Sequence, residues 1–102
     1  MSPLPTHPIE RVRQLATSRR YLLTATALFH ASARGLLEAD VIACVRGLTL
    51  EDFRKTMPSH RFPGRMQDVY KPWFRGGQWY VKVQVVAARD GELVVIISFK
   101  DA

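Results

Sequence analysis

Apolar positions along this chain recur with a helical period in the first half and alternate in the second. After Pro3, Pro5 and Pro8, the residues Ile9, Val12, Leu15 and Ala16 fall at helical spacing and predict a first short helix up to about Ser18. Thr24 stands where it can cap a second helix over TATALFHASARGL, which Gly35 would end in the left-handed conformation. A third follows from Glu38 to Gly47. Val41, Val45 and Leu48 recur on one face there, with acids in the first turn and Arg46 in the last, as the helix dipole favours.

From Phe53 onward the pattern changes. Pro58, Pro63, Gly64, Pro72, Gly76 and Gly77 cut the chain into pieces too short for long helices, and the pieces are rich in β-branched and aromatic residues. Within 78–87, Gln78, Tyr80, Lys82 and Gln84 alternate with Trp79, Val81, Val83 and Val85, whereas 92–100 is a nearly continuous apolar run. Arg89-Asp90-Gly91 joins the two as a hairpin turn. Helices first and antiparallel strands afterwards predict an α+β fold, with N-terminal helices packed on a C-terminal antiparallel β-sheet. At 102 residues the chain is expected to form a single domain, 1–102.

Composition adds location and partner class. No apolar run approaches a membrane span and the N-terminus lacks a secretory pattern, so the cytosol is the expected compartment. Cys44 is the single cysteine and lies in an apolar stretch, which makes it a small core side chain rather than half of an internal disulfide. The net charge of +6 resides in one segment: between Phe53 and Lys82, seven Lys and Arg face Asp68 alone, and the rest of the chain is neutral. That segment also holds seven of the ten aromatic residues. Cations for phosphates beside rings for bases are what single-stranded nucleic acid binding requires.

Most enzyme signatures are missing. His7, His30 and His60 lack metal-ligand spacing, and neither a cysteine pair, a phosphate-binding glycine loop nor a nucleophile elbow occurs. His30 reads as structural, and His60, beside Arg61 in a loop, as a histidine that could touch a nucleic acid. What remains is a polar set: Lys55, Gln67, Tyr70, Lys71, Tyr80, Lys82, Ser98 and Lys100. Residues two apart on a strand share a face, so Tyr80 and Lys82 point one way, as do Ser98 and Lys100. Trp79, Val81, Ile97 and Phe99 are then expected in the core. A hairpin in register would bring a tyrosine and two lysines to one phosphate.

Four stretches carry a family resemblance: Asp52-Phe53-Arg54-Lys55-Thr56-Met57, Met66-Gln67-Asp68-Val69-Tyr70-Lys71-Pro72, Gly77-Gln78-Trp79-Tyr80-Val81-Lys82-Val83 and Ile97-Ser98-Phe99-Lys100. In order and spacing they resemble the MqsR, or motility quorum-sensing regulator, toxins. Thr6-His7 and the stretch from Val45 to Leu48 extend the likeness over nearly the whole chain. The resemblance implies a RelE/YoeB-like toxin fold, cleavage of mRNA without metal or cofactor, and an MqsA-like antitoxin that binds zinc and DNA. The family's functional residues fall on Lys55, Gln67, Tyr80 and Lys100. Lys82, Tyr70, Lys71, Arg75, His60 and Arg61 are the further candidates for RNA binding. The turn over Ala87–Gly91 reads as longer than the family's, and Trp73–Gly77 as more aromatic and glycine-rich.

Such an enzyme can let the RNA's own 2′-hydroxyl attack the adjacent phosphate while lysines offset the charge that builds there. Lys55 and Lys100 suit the scissile phosphate, with Lys82 in support, Tyr80 for proton transfer or base stacking, and Gln67 for the ribose or a base edge. Two other classes fit the composition: a non-catalytic nucleic-acid-binding module and a protein-interaction subunit.

Overall fold

A computed structural model describes residues 4–102. Three α-helices lie in the first half of the chain: α1 (Ile9–Thr17), α2 (Ala25–Ala33) and α3 (Glu38–Arg46). Their ends follow local chemistry. The Thr24 hydroxyl accepts from Ala27 N at 3.0 Å to cap α2, and Gly35 takes φ 77° just past its end. At the start of α3 the Asp40 carboxylate accepts from Leu37 N at 2.7 Å, closing the first turn.

The strands are β1 (Tyr21–Leu23), β2 (Phe53–Pro58), β3 (Met66–Tyr70), β4 (Trp73–Phe74), β5 (Gly77–Ala88) and β6 (Gly91–Asp101). They run in the order β1-β6-β5-β3-β2, with β4 paired to β5 outside this path. The fold is α+β, and the sheet is mixed rather than purely antiparallel, because β1 lies parallel to β6. That strand corrects the expectation of a wholly C-terminal sheet. Two hairpins are tight. Arg75 and Gly76 both have positive φ (50° and 78°) between β4 and β5, as two-residue hairpin turns favour. Ala88 pairs with Gly91 in the other, so the turn itself is only Arg89-Asp90, and the Arg20 guanidinium grips Asp90 at 2.9 and 3.2 Å.

One core gathers Val12 and Leu15 of α1, Ala27 and Ala31 of α2, Val41 and Val45 of α3, and Tyr70, Val81, Ile96 and Phe99 of the strands. The alanines of α2 let its backbone approach β6 closely. The core face of the sheet is read from the register: Phe53, Tyr70, Val81 and Phe99 form one row across β2, β3, β5 and β6.

Ile97 departs from the sequence expectation. The pairing shifts from Lys82–Ser98 to Val83–Ile96, leaving Ile97 as the extra residue of a β-bulge. Ile96 and Phe99 are fully buried in the core, while Ile97 is half-buried on the opposite face. The bulge is anchored from α2's cap: Thr24 N donates to Ile96 O at 3.1 Å and the Thr24 hydroxyl donates to Ile97 O at 2.8 Å.

Candidate active site

The face of the sheet opposite the core carries most of the polar set. Register puts Lys55, Val69, Lys82 and Ser98 in one row across β2, β3, β5 and β6. Tyr80 and Lys100 form the next row toward β4. Val69 is fully buried although it lies outside the core cluster. Its partners on either side are Lys55 and Lys82, so their aliphatic stems cover it and carry the ammonium groups to the surface.

Three lysines and one phenol thus share this face, and the charges of Lys55 and Lys100 are felt at Lys82. Lys100 Nζ stands 5.1 Å from the centre of the Tyr80 ring. The Tyr80 hydroxyl reaches back across β3 to the Met57 sulfur at 4.0 Å. Burial lowers the pKa of Lys82, and the charges of Lys100 and Lys55 lower it further. Among the described residues none of these lysines has an acidic partner. The four ion pairs among the described residues all use arginine: Arg11–Glu92, Arg20–Asp90, Arg34–Asp101 and Arg75–Asp40. Mutually repelling cations with no acidic partner among the described residues make a face whose charge an anion would offset.

Beyond Lys82 the same face continues into a groove of about 610 Å³, walled by Val86, Val95 and Ile97 and overhung by the loop bearing His60, Arg61, Phe62 and Arg65. Gln67 lies at the junction and donates from Nε2 to Gln84 Oε1 at 3.1 Å. Both amides are nearly buried, at 6% and 4% exposure.

The structure therefore brings Lys55, Gln67, Tyr80, Lys82 and Lys100 to one face, with His60 and Arg61 over the adjoining groove. Two candidates for RNA contact do not belong there. Tyr70 is fully buried on the core side, edge-on to Phe53 at 5.5 Å, because it falls in the register row of Val81 and Phe99. Its hydroxyl has no hydrogen-bond partner among the described residues, and burial, reinforced by nearby acids, pushes its pKa upward. Arg75 sits on the β4–β5 turn and pairs with Asp40 of α3, which ties it to the helical layer. Lys71 is half-buried just past β3; its backbone N donates to Asp52 O at 2.8 Å, and its carbonyl accepts from Gln78 Nε2 at 3.2 Å.

Asp68 has a role that the sequence reading overlooked. Fully buried, it accepts from Thr6 N at 2.9 Å, His7 N at 2.8 Å and the Thr56 hydroxyl at 2.7 Å. The acid thereby clamps the N-terminal segment to β2 and β3, and its isolation among seven cations was the available signal. Cys44 is buried, and desolvation, with the Asp52 charge adding, pushes its thiol up to about 12, so it is inert packing. Among the described residues no three His, Cys, Asp or Glu side chains gather as metal ligands, and no helix is long and apolar enough to cross a membrane.

Comparison with known proteins gives this face a context. Residues 4–101 match the family described as "Motility quorum-sensing regulator, toxin of MqsA". The mRNA interferase toxin MqsR of Escherichia coli (strain K12) is 31% identical over 93 residues, covering 91% of this chain and 90% of that protein. Matched from before α1 to the end of β6, the chain belongs to the motility quorum-sensing regulator toxin family.

Proposed function

We propose that this protein is the toxin of a toxin–antitoxin pair and cuts mRNA as a metal-independent endoribonuclease. The observation that carries the reading is that Lys55, Lys82 and Lys100 share one sheet face, close enough for their charges to interact, with Lys100 standing over the Tyr80 ring. The three ammonium groups supply positive charge where the phosphorane transition state gathers negative charge, the task a metal ion performs elsewhere. Family membership supports the same activity, since the Escherichia coli relative is named an mRNA interferase.

The reaction needs no outside nucleophile. The ribose 2′-oxygen forms a bond to phosphorus as the bond to the 5′-oxygen breaks, the 2′-proton leaves and the 5′-oxygen gains one. A 2′,3′-cyclic phosphate and a 5′-hydroxyl remain. Lys55 and Lys100 hold the non-bridging oxygens, Lys82 adds to the field, and Tyr80 either relays a proton or stacks on a base next to the cut. Gln67 fixes the ribose or a base edge by its amide. Lys71, Arg61 and His60 guide the flanking strand.

The reading extends to a RelE/YoeB-like toxin fold in one domain, a cytosolic location and an MqsA-like antitoxin that binds zinc and DNA. Incubating the purified protein with a naked transcript in EDTA tests the chemistry. Discrete fragments with cyclic phosphate ends, together with an intact DNA strand of the same sequence, are expected. Cutting of the DNA, or loss of all activity in EDTA, contradicts the mechanism.

A further inference from the structure

We propose that the groove beside Lys82 seats one base of the RNA and that Gln84 selects which base is accepted there. This rests on the ribonuclease reading and deepens it, from a face that cuts to a face that chooses where to cut. A groove of about 610 Å³ lies within the roughly 300–1,000 Å³ of ligand pockets. Its walls, Val86, Val95 and Ile97, are apolar, as the flat faces of a base require. Phe62 stands on the rim at 53% exposure, an available ring for stacking.

Charge complementarity identifies the occupant as a nucleotide. Lys82 belongs both to the lysine cluster and to the groove wall, and Arg61 and Arg65 line the groove as well. A strand whose phosphate lies against Lys55, Lys82 and Lys100 delivers its neighbouring base directly into the apolar space. Sequence-specific RNA recognition works in this way, with unstacked bases of single strands read along their edges.

The selecting element is the amide pair. Gln67 Nε2 donates to Gln84 Oε1, which leaves Gln84 Nε2 and Gln67 Oε1 without partners among the described residues. The groove floor therefore offers a free donor from Gln84 beside a free acceptor from Gln67, and turning both amides over would reverse that order and with it the bases preferred. Every base edge carries donors and acceptors, but their order separates adenine and cytosine from guanine and uracil. A nearly buried amide pair punishes the wrong order, because mismatched polar groups would be left unsatisfied.

The test uses the full chain and a pool of single-stranded RNAs with a randomised tetranucleotide in fixed flanks, read by sequencing the cleavage ends. The parent is expected to show a strong preference at one position next to the cut. Gln84→Leu should flatten that preference about tenfold or more, the worth of one good edge contact, read as the ratio of rates between sequences rather than as the overall rate, because Gln84 also holds the Gln67 amide. Gln84→Glu, which exchanges the donor for an acceptor, should shift the preference at the same position. Val86→Phe fills the groove without touching the amides and should flatten it too, so misfolding of one variant leaves the proposal falsifiable. A second arm measures binding of 2′-O-methyl tetranucleotides, which cannot be cut, with each base in turn at that position. If the parent cuts no RNA, the ribonuclease reading falls while this arm still decides the groove. Base discrimination in the parent that both Gln84→Leu and Val86→Phe remove supports the proposal. Unchanged preference in every variant, an equal loss at all sequences, or base-blind binding by the parent overturns it.

Discussion

Tyr70 and Lys82 show how register decides what a side chain does. Tyr70 belongs to one of the stretches that carry the family resemblance, yet its ring fills the core and its hydroxyl has no partner among the described residues. Leaving a buried hydroxyl unsatisfied costs about 1–3 kcal/mol. Tyr70→Phe is therefore expected to raise stability by about 1 kcal/mol, seen as a higher melting temperature, with RNA cleavage unchanged. A loss of activity in a stable Tyr70→Phe protein would return the hydroxyl to the reaction. Lys82 behaves oppositely. Burial and its two lysine neighbours lower its pKa, so the fold favours its neutral form. That penalty is fully present below the folded-state pKa and is relieved as pH rises through it toward the ordinary lysine value. Activity runs the other way, because only the charged form holds a phosphate. Cleavage corrected for spontaneous hydrolysis should fall at alkaline pH, and Lys82→Arg, whose guanidinium stays charged, should carry the plateau to higher pH. An identical alkaline limb in both proteins would remove Lys82 from that role.

At the scale of elements, Asp68 holds the most consequential contacts outside the site. It joins the N-terminal segment to β2 and β3 through two backbone N–H groups and the Thr56 hydroxyl. Asp68→Ala strands those donors and is expected to cost about 3–5 kcal/mol, lowering the melting temperature by more than roughly 12 °C in a domain of this size. A shift of only a few degrees would show that the clamp contributes little. The same residue explains why the core face of β3 was hard to read. Asp68 and Tyr70 share that face, and an acid within it makes the inner positions look like outer ones. The helices were legible because their stops and starts are chemical: Thr24, Gly35 and the acids before Val41 mark them. Tyr21–Leu23 was not, since three residues are too few to show a period. Nor was the bulge at Ile97, because the unbroken apolar run of β6 carries no phase from which a skipped pairing could be seen. The faces of Tyr80, Lys82, Ser98 and Lys100 were legible even so. The alternation in β5 sets one strand, and the bulge falls N-terminal to Ser98 in the other.

Over the whole molecule, charge and fold divide the labour. Arginines pair with the acids at the hairpin ends and against α3, whereas Lys55, Lys82 and Lys100, without an acidic partner among the described residues, share one face with Tyr80. Residues of the three helices share one buried core with the inner face of the sheet, and the lysines lie on its other face. Binding alone would need only the positive charge; catalysis needs it held where the transition state forms. Removing a charge that acts mainly in the transition state lowers turnover far more than affinity. The most direct measurement is therefore the cleavage rate of a naked transcript in EDTA, with RNA affinity measured in parallel, for the parent and for folded Lys55→Ala, Tyr80→Phe and Lys100→Ala. Lys100→Ala is expected to raise the barrier by about 2–4 kcal/mol while affinity changes much less, as when one oxyanion donor is lost. Cleavage at the parent rate by all three variants would show that this face is not where RNA is cut.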